Sequence, residues 1–231
     1  MVKLLETLVF KLRPLILAGL LAFTLFAGYF AFGLKLDAGF DKQLPAGHEY
    51  IQTFQEYREK LFGSNRIIVV MEAKEGNIWN QDFFSTYKDL TDDIFFLPGV
   101  ARHTVTSLWT PNTRYLEITE EGISADDVIP GTVTASSMDK EDLARIENNV
   151  VRGGFVGRLV ASDFTAAMIT AELLEYNPKT QEKLDYFDLA AQLENKLRTK
   201  YETEDGKYRI RIIGFAKLIG DIADGAESVV V

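Results

Sequence analysis

The chain has no cysteine, which removes disulfides and thiolate metal ligands from its repertoire. Its only histidines, His48 and His103, fall in different elements and lack the His-x-x-x-His or Glu-x-x-His spacing that a zinc site uses. No Asn-x-Ser/Thr sequon, low-complexity tract or short-period repeat is present. Positive charge is also scarce, with 25 Lys and Arg against 34 Asp and Glu, a net charge of −9. An acidic surface of that kind argues against nucleic acid as a partner and against lying on anionic lipid.

Against these absences stands one long apolar run. "PLILAGLLAFTLFAGYFAFGL", Pro14 to Leu34, contains 21 residues without a charged or amide side chain. As a helix rising about 1.5 Å per residue it covers roughly 31 Å, close to a hydrocarbon core of about 30 Å. Eleven of its residues are Leu, Ile or Phe, and together they favour insertion by roughly 3 to 6 kcal/mol. Lys3, Lys11 and Arg13 precede the run with only Glu6 against them, whereas Asp37 and Asp41 follow Lys35. By the positive-inside rule the N-terminus is cytoplasmic and the following chain starts outside. The run is longer than the apolar region of a secretory signal, and bulky Tyr29, Phe30 and Phe32 crowd its exit, so a retained span is expected rather than a cleaved leader. The charges through Leu34 sum to +2, which leaves −11 for the exported part.

Beyond the span, Pro45 and Gly47 punctuate a polar connection, and Ile51, Phe54, Tyr57 or Arg58, and Leu61 fall at helical spacing. Arg66 to Ala73, "RIIVVMEA", has the continuous apolar character of a buried strand. Phe83, Tyr87, Leu90 and Ile94 predict an amphipathic helix ended by Pro98 and Gly99, and Val100 to Leu108 predicts a second strand. Trp109 to Ser137 reads as an irregular excursion. Asp139 is placed to cap a short helix with Asp142 in its first turn and Leu143 and Ile146 on one side, after which "RGGFVG" loosens the backbone. A second unit then follows, made of strand Thr165 to Leu174, a helix with Tyr186, Leu189 or Ala190, Leu193 and Leu197 on one face, and strand "YRIRIIG", in which Ile210 and Ile212 alternate with Arg209 and Arg211. Two β-α-β units predict an α+β domain of the ferredoxin-like, split β-α-β type, with strands 66–73, 100–108, 165–174 and 208–213 in one sheet. The organisation expected is 1–36 cytoplasmic N-terminus and first transmembrane helix, 37–215 extracytoplasmic domain, and 216–231 a segment returning to a second span.

Several motifs invite chemistry. Ser137-Met138-Asp139-Lys140 fits the Ser-x-x-Lys pattern of penicillin-binding enzymes, but neither Ser-Asp-Asn nor Lys-Thr-Gly accompanies it, and a helix start accounts for the same residues. "GGFVG" at Gly153 to Gly157 lacks the Lys-Ser/Thr of a phosphate loop and reads as a hinge. Asp37, Asp41 and Glu49 lack the alternation of a calcium loop, and Glu120, Glu121, Asp126 and Asp127 read as a solvated face. Phe54, Phe83, Phe84, Tyr87 and Tyr186 read as core, or as the lining of a lipid groove if some of them are exposed. No catalytic, cofactor-binding or metal-binding residue is assigned.

One resemblance gathers these features. The basic-flanked first span, "FDKQLPAGHEYIQTFQEYREKLFGSNRIIVVME", "LTDDIFFLPGVARHTVTSLWTPN", "GRLVASDFTAAMITAELLE" and "RIRIIGFAKLIGDI" together resemble the start of an RND-superfamily exporter of the MmpL-like branch. The resemblance implies a proton-driven, non-enzymatic transporter of hydrophobic or lipid-like molecules in the bacterial inner membrane, with this porter domain in the periplasm. It further implies that the partners are the bilayer, the remaining transmembrane halves of the same transporter and an amphiphilic substrate, not nucleic acid. The proton-relay acids of such families lie in later spans, and the first span has no ionisable group to serve as one. A binding or adaptor module held by a single span is the alternative, with an anchored hydrolase at Ser137 behind it.

Overall fold

The computed structural model describes residues 2–31, 47–53, 56, 65–120, 122–174, 176, 181–182, 184–202 and 206–230. The chain divides into two compact units, Met1–Leu44 and Pro45–Val231.

The described residues of the first unit form one helix, α1 (Val2–Ala31), which carries Pro14 inside it. Within α1, Phe10–Ala31 is 22 residues long and apolar enough to cross a membrane. Its large apolar side chains are exposed, from Ile16 at 40% to Tyr29 at 77%. A helix of this length that is hydrophobic all round suits a lipid surrounding and is a candidate span by length and composition.

The second unit is mixed α+β. Strand β1 (Arg66–Ala73) lies at the centre of a three-stranded antiparallel sheet between β4 (Ala166–Glu172) and β5 (Tyr208–Gly214). Val69 faces Ile169 on one side and Ile212 on the other. The strands alternate, so Ile67, Val69, Met71, Ala167, Ile169 and Ile210 are buried on one face. That face carries α2 (Gln81–Phe96), whose Phe83, Phe84, Tyr87, Leu90 and Ile94 are fully buried. Asn80 caps α2 by accepting a hydrogen bond from the Phe83 N–H at 2.8 Å. The Tyr87 hydroxyl donates to the Met168 carbonyl of β4 at 2.8 Å, and burial pushes its pKa well above the usual tyrosine value.

The segment expected as strand 100–108 is not a strand. It contains a single 3₁₀ turn, Arg102–Thr104, and joins β4 only through antiparallel bridges of Val100 to Leu173 and Thr106 to Thr170. Its hydroxyls take the hydrogen bonds that would extend a ladder: Thr104 Oγ1 donates to the Ala101 carbonyl and accepts from the Glu172 N–H. The excursion 109–137, in turn, is more ordered than expected. It holds a hairpin of β2 (Arg114–Thr119) and β3 (Gly122–Asp127), with Ile118 opposite Ile123. Behind it, α3 (Lys140–Arg152) has a capping box between Asp139 and Asp142, and Ile146 is buried. "RGGFVG" is a packed helix end rather than a loosened hinge. Gly154 takes φ +67°, Gly153 lies too close to Phe155 and Tyr115 to accept a Cβ, and Phe155 is buried.

Helix α4 (Tyr186–Gln192) continues as a π-helical turn, Leu193–Arg198, and one last α turn, Thr199–Tyr201. Two Lys-Tyr pairs tie this half to α2. Lys207 and Tyr208 both bind Asp82, at 2.6 and 3.0 Å, while Lys200 and Tyr201 both bind Asp93, at 2.6 and 2.7 Å. Asp82 and Asp93 are three turns apart and therefore on one side of α2. Hydrogen bonds from Lys207 and then Tyr208 hold the Asp82 carboxyl below its usual range. Burial, and then Asp82, pushes Tyr208 up to about 12.

The last helix, α5 (Phe215–Val230), leaves β5 directly and packs on α4. Gly220 sits against Ala190 so closely that a Cβ there would collide with the Ala190 methyl. Lys217, only 6% exposed, pairs with Glu194 at 2.8 Å and with Asp221, and Glu194 also accepts from Arg198 at 2.7 Å. Burial opposes the charge on Lys217, but the Asp221 and Glu194 hydrogen bonds outweigh it and raise its pKa. Burial likewise opposes the Glu194 charge, and Lys217 and Arg198 outweigh it and lower that pKa.

Two predictions follow from this junction. Ala is normally favoured over Gly in a helix by about 1 kcal/mol, yet Gly220→Ala should destabilise by about 1–3 kcal/mol through overpacking. Ala190→Gly in the same chain should restore most of the loss, and denaturant unfolding of the single and double variants checks the pair. Lys217→Met should cost about 2 kcal/mol near neutral pH, less than a fully buried pair because Arg198 still serves Glu194. The raised Lys217 pKa stabilises below the unfolded value of about 10.4 and fades as pH rises through the folded value. The lowered Glu194 pKa stabilises above about 4.3 and fades as pH falls through the folded value. The gap in Tm between wild type and Lys217→Met should therefore be widest between those limits and narrow at both ends.

Candidate functional site

Among the described residues no helix packs squarely on the face of the sheet opposite α2, and Ile68, Val70, Met168 and Thr170 are half-buried there. Alternation places Ile68, Val70 and Glu72 of β1, Met168, Thr170 and Glu172 of β4, and Arg209, Arg211 and Ile213 of β5 on this side. Two adjoining clefts run over it. One, of about 530 Å³, is bounded by the sheet residues Ile68, Met168 and Thr170, by Thr106 and Asn112 of the segment after α2, and by Phe155, Arg158 and Leu159 of the turn after α3. The other, of about 260 Å³, lies between Val70, Met168 and the turn 157–162, and shares Arg158, Leu159 and Met168 with the first.

Four arginines and two glutamates border this face. Arg66 pairs with Glu172 at 3.2 Å, and Glu72 pairs with Arg211 at 3.4 Å and Arg209 at 3.9 Å. These pairs are part-exposed and contribute about 0–1 kcal/mol each. Arg158, exposed, has no carboxylate partner among the described residues. Gly157 holds the turn below it with φ +77°, and the Gly157 N–H donates to the Val160 carbonyl at 2.7 Å. The result is a locally basic, partly apolar floor on an acidic protein. Sequence reading recognised the Arg209/Arg211 alternation but not Arg158, because its role depends on how the 157–162 turn folds over β4.

The motifs with apparent chemistry do not assemble. Ser137 Oγ lies 2.7 Å from Thr134 Oγ1, and no hydrogen bond joins it to Lys140, while Asp139 caps α3. His48 Nδ1 accepts from the Tyr50 N–H at 3.2 Å, and His103 lies in the exposed 3₁₀ turn. Among the described residues no group of three His, Asp or Glu could hold a metal ion. Asp37, Asp41 and Glu121 lie outside the described residues; Glu49, Glu120 and Asp126 are exposed, and Asp127 pairs with Arg114 at 3.1 Å. Phe83, Phe84 and Tyr87 are core, and Tyr186 packs edge-on to Phe215. Phe54, and with it Tyr57, Arg58 and Leu61, lies outside the described residues.

No protein-family model matches the chain, and no curated protein matches it.

A serine-reactive fluorophosphonate should leave the chain unlabelled, because among the described residues the Ser137 hydroxyl bonds only to Thr134 and to no base. Mass-spectrometric detection of an adduct at Ser137 would restore the anchored-hydrolase reading.

Proposed function

We propose that this chain supplies the first membrane span and the first extracytoplasmic domain of an RND-type, MmpL-like exporter. In this reading the domain forms part of a passage for hydrophobic or lipid-like molecules, in the periplasm of a bacterial inner membrane. Its work is carriage rather than catalysis. Proton-relay acids belong to spans other than α1, whose described apolar stretch, Phe10–Ala31, holds only Lys11 and Arg13 near its cytoplasmic end.

The observation that carries the reading is a span-length helix in the same chain as a domain with an open, amphipathic sheet face. The topology supports it. Across the sheet the order is segment 100–106, β4, β1 and β5, every contact antiparallel, and this order supports a split β-α-β reading in which two bridges stand in for the second strand. A fold of this type hosts many functions, so the topology lends support through the domain type and not through any residue of a site.

The absence of cysteine provides a clean test. A single cysteine introduced at exposed Ser162 should react with a membrane-impermeant maleimide on intact cells, without permeabilisation. Labelling only after lysis would place the domain in the cytosol and overturn the proposal. The exporter reading also expects the reading frame past Val231 to encode five further spans, whereas a stop codon there would favour an anchored binding module.

A further inference from the structure

We propose that the open-face cleft binds an alkyl chain bearing a single anionic head group, a carboxylate or a phosphate. The inference deepens the transport reading and rests on it for the route of the ligand, though not for binding itself.

The floor supplies the apolar half of such a site. Ile68 and Met168 are cross-strand neighbours on the open face, Val70 pairs directly with Met168, and Leu159 covers them from the turn above. Both the volume, about 530 Å³, and the mixture of apolar floor with a few polar groups fall within the usual range for small-molecule sites. Arg158 supplies the polar half. It lines both clefts, and it is the arginine on this face without a carboxylate partner among the described residues. A guanidinium presents a planar fork of donors matched to a carboxylate or phosphate, and it is hydrated weakly enough to sit beside apolar surface. The Thr170 hydroxyl, on the same floor, makes no hydrogen bond to any described residue.

Charge fixes the class of occupant. The face carries four arginines against two glutamates on a protein whose net charge is −9, so an anion is drawn to this patch and repelled elsewhere. The same overall charge disfavours nucleic acid, and a cation would meet Arg158 first. A neutral amphiphile would use the floor and leave the unpaired guanidinium unused.

Methionine NMR tests the proposal with little ambiguity. The full chain, labelled with [methyl-¹³C]methionine and held in nanodiscs of zwitterionic lipid, offers Met168 as the reporter in the cleft, with buried Met71 and Met138 as internal controls of the fold. Dodecanoate and dodecyl phosphate should shift the Met168 methyl saturably and bind at least tenfold more tightly than neutral dodecyl maltoside. Arg158→Ala should weaken both anions at least fivefold with the Met71 signal unmoved. Arg102→Ala, which removes a guanidinium lying over the Phe95 and Phe96 rings, should change nothing. A preference between the two anions identifies the head group. No saturable Met168 shift, equal affinity for the neutral glycoside, or indifference to Arg158→Ala would each overturn the inference. The maleimide and reading-frame experiments test the transport reading independently of this binding, so failure of one is distinguishable from failure of the other.

Discussion

The seating of α2 on β1 and β4 is the constraint on which the rest of the domain depends. Phe83, Phe84, Tyr87, Leu90 and Ile94 form one stripe, and the strands below present Ile67, Val69, Met71 and Ile169 at the matching spacing. Burial of aromatic side chains is the largest apolar contribution available to a domain without disulfides. Fixing the helix also fixes register, since the Tyr87 hydroxyl reaches one particular carbonyl, that of Met168. Asp82 and Asp93, on another side of α2, then hold the second β-α-β unit at two points through the Lys-Tyr pairs. Helix, sheet and second unit are thus positioned by a single element.

That arrangement explains why the opposite face is available. Both α2 and α4 turn their buried apolar residues to the same core, and the turn 157–162 and the segment around Thr106 only border the other face. Alternation along the strands does the rest, putting Ile68, Val70 and Met168 beside Arg209 and Arg211. A face of this kind is amphipathic because each strand must be apolar enough to form a core yet polar enough to meet water.

Much of this was legible in the residues. β1 is found at its expected bounds, α2 and α3 follow from their stripes and caps, and the candidate span follows from length and composition. Strand 100–108 was not legible, because the Thr and Ser side chains of that segment satisfy their own neighbours' backbone and leave only two bridges to β4. The hairpin 114–127 escaped for the opposite reason. Leu116, Ile118 and Ile123 alternate properly but face solvent, so the pattern lacks the buried face that normally marks a strand. Of the candidate site, the arginine alternation in β5 was visible, whereas Arg158 gains its position only from a glycine turn that packs over a distant strand.

The π-helical turn Leu193–Arg198 carries Glu194, which holds α5 against this helix through Lys217. A π turn holds one more residue than the α-helix around it, as the bond from the Thr199 N–H to the Glu194 carbonyl, five residues back, reflects. Removing one residue here would return the backbone to regular winding and rotate Glu194 by about 100° relative to the residues after it. Its carboxylate could then no longer face Lys217 and Arg198 together. Chain length at this spot therefore works as an indexing device: substitutions along α4 can be absorbed by repacking, but a one-residue deletion would unlatch the outgoing helix while leaving every side chain chemically intact.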